Sequence, residues 1–67
     1  MTELQEAIIE LLRSLGHGED AVVGTILLTK DNVEEQEELL LYLYDNRPTP
    51  KEITNYIIQM VRQRNTK

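Results

Sequence analysis

Chemistry near neutral pH needs a group that titrates there, and this chain has one histidine, His17. It lies in Gly16-His17-Gly18-Glu19-Asp20, where Glu19 or Asp20 could orient the imidazole as a general base or share a metal ion with it. Catalysis, however, needs several groups converging in one cleft, and no second cluster of suitable residues accompanies this loop. Gly16-x-Gly18 lacks the third glycine, the preceding strand and the lysine of a phosphate-binding loop. Ser14, Thr25, Thr29, Thr49, Thr54 and Thr66 offer hydroxyls without a paired base. The run Glu34-Glu35-Gln36-Glu37-Glu38 has neither the alternating oxygen ligands nor the glycine turn of a calcium loop. With no cysteine, thiolate metal sites and disulfides are both excluded. The expectation is therefore no catalytic, cofactor or metal site. His17 reads as an exposed loop residue between two turn-forming glycines, and Glu19 and Asp20 read as first-turn charges of the following helix.

The elements that would position these residues are helical. Leu4, Ala7, Ile8, Leu11, Leu12 and Leu15 recur at helical spacing and predict a first helix over about 3–15. Thr2 and Gln5 fit a capping box at its start, and Gly16 suits the left-handed position after its end. A third helix is expected over about 33–45, with Asn32 as N-cap, Glu35 in the reciprocal position, and Asn46-Arg47-Pro48 as the turn that stops it. Asp31 and Glu34 suit the positive end of its dipole. The fourth, about 50–64, has Thr49 as N-cap, Pro50 at the first helical position and Glu52 at the third. Its apolar face is Ile53, Tyr56, Ile57, Met60 and Val61, and fraying is expected from about Arg64.

The segment at about 20–29 is ambiguous. Val22, Val23, Ile26 and Leu27 fit a helical stripe, yet Ala21 to Leu28 is rich in β-branched residues. Gly24 inside a helix costs about 1 kcal/mol relative to alanine. A buried strand is the rival reading, but no second strand-like segment exists to pair with it. A helix is expected. Together the segments predict an all-α, compact bundle of four short helices in a single domain, 1–67, with short connections between neighbours.

Sixty-seven residues bury little surface, so stability is marginal without some help. Oligomerisation is the help this composition leaves, alongside unusually good helix packing. Apolar residues off the main stripes point the same way. The third helix is expected to face the core with Val33, Leu39, Leu40, Leu43 and Tyr44, which puts Leu41 and Tyr42 among the glutamates. Ile58 lies off the stripe of the fourth helix, Leu28 off that of the second, and Ile9 sits beside Arg13. Isolated exposed apolar residues are common, and a helix buried on two sides would absorb some of these internally. The functional expectation is that Leu28, Leu41, Tyr42 and Ile58 contribute to a homodimer or partner contact.

Twelve acidic against seven basic residues give a net charge of −5, which disfavours phosphate backbones. The bases lean toward the C-terminal helix, at Arg62, Arg64 and Lys67. Nothing reads as a signal peptide, and the longest apolar run, Leu39 to Tyr44, is too short to span a bilayer. The default location is the cytoplasm, without a membrane or small-molecule partner.

Two resemblances accompany this reading. With Leu15-Gly16-His17 after the first helix and Asn32-Val33-Glu34 opening the third, residues 4–46 loosely resemble a ubiquitin-associated domain. That resemblance implies three short helices whose first loop and third-helix end contact another protein. Leu28-Thr29-Lys30 and Asn46-Arg47-Pro48-Thr49-Pro50-Lys51-Glu52-Ile53 look like segments of small uncharacterised helical proteins from Gram-positive bacteria and their phages. The expected function is a non-catalytic, self-associating protein–protein interaction module in an accessory or regulatory role. The alternative is a DNA-binding regulator of helix-turn-helix type using the basic C-terminal helix.

Overall fold

The computed structural model describes residues 1–64; Asn65, Thr66 and Lys67, and with them the readings placed on Thr66 and Lys67, lie outside the described residues. Four helices follow one another, α1 (Glu3–Ser14), α2 (Glu19–Thr29), α3 (Val33–Asn46) and α4 (Pro50–Arg64), and there is no strand among the described residues. The all-α four-helix expectation is met, with ends within a residue of those read from the sequence. The ambiguous segment is helical. A radius of gyration of 11.0 Å matches the roughly 11 Å expected for a compact chain of this length.

Each helix is set by local chemistry. The Thr2 hydroxyl accepts from the Gln5 backbone N–H at 3.2 Å, while the Gln5 side chain accepts from the Thr2 N–H at 3.0 Å. This satisfies orphan donors at both ends of the first turn. At the other end Gly16 takes φ +90°, and its N–H donates to the Arg13 carbonyl at 3.0 Å. The His17 N–H reaches the Leu12 carbonyl at 3.1 Å, completing a Schellman motif. Thr49 and Glu52 form the same reciprocal cap on α4, at 3.0 and 3.3 Å. The hydrogen bonds from Thr49 hold the exposed Glu52 carboxyl below its ordinary pKa.

One cap departs from expectation. Asn32 does accept from the Glu35 N–H at 3.0 Å, but the Glu35 carboxylate does not reach back. It pairs instead with Arg64 at the far end of α4. Arg64 also donates to the Leu28 carbonyl at 3.0 Å, so the residue expected to fray ties α4 to α2 and α3.

The core joins Ile8 and Leu12 of α1, Leu39 and Leu43 of α3, and Ile53, Ile57 and Met60 of α4. α2 contributes one buried apolar residue, Val22, with Ile26 partly buried against the core, although it packs against all three other helices. No helix among the described residues is long and apolar enough to cross a membrane.

Candidate functional site

His17 is not exposed. It is 6% accessible, and its Nε2 lies 3.0 Å from the Pro48 carbonyl in the turn between α3 and α4. A carbonyl only accepts, so Nε2 carries the proton, and in the neutral ring Nδ1 is left as an acceptor. Nδ1 is buried without a hydrogen-bond partner. The physical reason for the correction is the Schellman motif itself. His17 occupies the second position past the helix, which commonly folds back onto the last turn. Glu19, proposed as the carboxylate partner, pairs with Arg13 through two hydrogen bonds, at 3.0 and 3.2 Å. No group of three or more His, Cys, Asp or Glu among the described residues converges on a point where a metal could sit. The loop ties two turns together.

The second helix is where the structure departs most from sequence expectation. Its inward edge is Val22, Thr25 and Thr29. The Thr29 hydroxyl pays its own desolvation by donating to the Thr25 carbonyl at 2.9 Å. The Thr29 carbonyl accepts from the buried Gln36 amide at 2.7 Å, with the Lys30 carbonyl at 3.4 Å from the same nitrogen. Arg64 supplies the cation that the last turn of α2 lacks in its own sequence. With threonines turned inward, the bulky residues turn outward. Val23 is 52% exposed, Leu27 59% and Leu28 44%. Val23 and Leu27, expected on the core stripe, are corrections to that reading.

Exposed apolar surface therefore flanks α2 on two sides. On one, Val22, Val23, Ile26 and Leu27 form a groove with Met1 and Ile9, bounded by the Arg13–Glu19 pair. On the other, Ala21, Gly24, Thr25 and Leu28 form a groove with Ile53, Thr54, Ile57 and Ile58 of α4. Each encloses about 210 to 220 Å³, below the roughly 300 Å³ at which small-molecule sites begin.

The four residues expected to form one contact are divided. Leu28 and Ile58 do line the same groove, both partly exposed. Leu41 is exposed on α3, away from that groove's lining. Tyr42 packs against the core, its ring stacked on Tyr56 of α4 at 4.0 Å between centroids and 8° between planes. Burial, followed by the nearby Glu38, raises the Tyr56 hydroxyl above its ordinary pKa. Tyr44 and Val33, expected in the core, are exposed instead. The cause is Gln36, which is buried and rotates the inner face of α3 toward 36, 39 and 43. A polar residue at the centre of a core face is invisible to an apolar stripe.

No protein-family model matches the chain, no curated protein matches its sequence, and no solved structure matches it.

Proposed function

We propose that this domain is a non-catalytic protein–protein interaction module, working in the cytoplasm in an accessory or regulatory role, and that α2 carries its docking surface. The observation behind this reading is the reversed exposure of α2, which buries Thr25 and Thr29 while presenting Val23, Leu27 and Leu28 to solvent. A helix that is apolar nearly all round is ordinarily buried all round, so the outward side of α2 has the composition of a covered surface. The apolar strip is bounded by charge at Arg13, Glu19 and Lys30, the pattern of an interface core within a polar rim. The one histidine is spent on the Pro48 carbonyl, which supports a binding role over a reactive one. The DNA-binding alternative would draw on Lys51, Arg62 and Arg64, but the Arg64 guanidinium is committed to Glu35 and Leu28. α4 also uses Ile53, Ile57 and Met60 for packing, which leaves protein binding as the better-supported reading.

The test is the pair Val23→Glu/Leu27→Glu, two changes at exposed sites. The double variant should melt within a few degrees of wild type, yet lose proteins that wild type captures from its native host. Retention of the same partners by the folded double variant would contradict the reading.

A further inference from the structure

The groove between α2 and α4 has a feature that the opposite flank lacks. Its α2 side includes Gly24, in the middle of a helix, where a Cβ would meet nothing within 4 Å. No intramolecular contact requires glycine there, and its backbone has no positive φ. A mid-helix glycine with open space over its Cα leaves room for the close approach of another backbone. Leu28, one turn further along α2, and Ile58 of α4 line the same groove, both partly exposed.

Charge indicates which backbone approaches. On the α2 side, Asp20 lies one turn before Gly24 by helical spacing, and Asp31 follows in the turn after the helix, both exposed. On the α4 lip, Lys51 and Arg62 share the stripe of Thr54 and Ile58 by helical spacing. One lip is acidic and the other basic. The C-terminal ends of the two helices meet at Arg64, so the helices run in the same general direction along the groove. A two-fold axis along the groove lays α2 of one copy over α4 of the other, setting acidic lip on basic lip at both ends. An axis across the groove would set α2 on α2 and oppose Asp20 to Asp31. Charges farther apart than about 8 Å are screened at physiological salt, so these local pairs outweigh the net −5 of each copy.

We propose that a second copy of this chain occupies the α2/α4 groove, in an isologous dimer with α2 of each copy packed over α4 of the other at Gly24, Leu28 and Ile58. This rests on reading α2 as a docking helix and names the partner for one of its two flanks. A standard interface buries about 800 Å² per partner, roughly one sixth of the 4714 Å² accessible here.

Sedimentation equilibrium of the full chain, from micromolar to millimolar concentration, tests it. Wild type should approach twice 7.8 kDa. Leu28→Glu and Ile58→Glu should each weaken association about tenfold or more. Gly24→Ala should raise Tm by about 4–8 °C and still weaken the dimer, because the added methyl meets empty space in one copy and helix in two. Asp20→Lys should also weaken it, and Asp20→Lys/Lys51→Asp should restore it. A wild-type chain that stays at 7.8 kDa overturns the proposal, as does a dimer unaffected by Gly24→Ala and Leu28→Glu. Failure of the double charge reversal to restore association overturns the proposed axis, and with it the proposal. Loss of the dimer only in Val23→Glu/Leu27→Glu also overturns it, but leaves the docking role of α2 intact.

Discussion

α1 and α2 are neighbours of similar length, 12 and 11 residues, but they relate to the core in opposite ways. α1 follows its sequence: the apolar stripe goes in, Ile8 and Leu12 are fully buried, and Glu3, Glu6 and Glu10 stay outside. α2 buries Thr25 and Thr29 beside Val22 and exposes Val23, Leu27 and Leu28. Hydrophobicity alone therefore did not choose the inward edge of α2. Volume and hydrogen bonding did, because Thr25 and Thr29 are compact, Thr29 satisfies itself on the Thr25 carbonyl, and Gln36 and Arg64 close the helix end. The difference separates a helix whose apolar stripe faces the core from one that leaves large apolar side chains exposed.

The largest expected effect breaks the first half of that comparison. Leu12→Ala removes a side chain with no exposure from α1 and should cost about 2–5 kcal/mol in urea denaturation. Leu27→Ala on the outer side of α2 should change stability by less than about 0.5 kcal/mol in the same experiment. Similar losses from both would show that Leu27 is in the core after all. Gln36→Ala should cost about 1–3 kcal/mol, because its loss strips hydrogen bonds from the buried end of α2. Hydrogen exchange should place that loss at the C-terminal turn of α2, before the rest of the domain. Gly24→Ala works in the opposite direction and should stabilise by about 1 kcal/mol at low protein concentration.

The smallest effect sharpens the contrast from a third helix. Glu52 has a carboxyl pKa below its ordinary value because it is bonded to Thr49. A carboxylate depressed in the folded state contributes stability that is present above its unfolded pKa and lost as pH falls through the folded value. NMR titration should find Glu52 ionising below the ordinary glutamate value, and Thr49→Ala should return it there. A Glu52 that titrates normally would remove the cap as its cause.

How much of this was legible in the sequence follows the same division. The caps and main stripe of α1 and the start of α4 could be read, because caps and stripes are local and use residues with one dominant role. Ile9, however, read as off the stripe of α1, packs partly buried against the core. α3 was read with the correct span and a rotated face, since buried Gln36 counts as polar in any stripe and drew Tyr44 and Val33 inward on paper. The inner edge of α2 could not be read, because the Thr29 hydroxyl bonds within the helix while the Thr29 and Leu28 carbonyls accept from Gln36 and Arg64, 7 and 36 residues away. His17 was misplaced for a reason the sequence does contain, its position two residues past a helix ending in Leu15-Gly16. Of the expected contact residues, Leu28 and Ile58 come together, Leu41 stands apart, and Tyr42 turns inward onto Tyr56.

The central claim is that the outer side of α2 is a covered surface in the cell and the outer side of α1 is not. Site-specific photo-crosslinking in the native host measures this directly, with the crosslinker placed at Leu27 in one chain and at Glu10 in another, both exposed positions. Discrete protein adducts should form from position 27 and not from position 10. Adducts equal at both positions, or absent from position 27, would contradict the account.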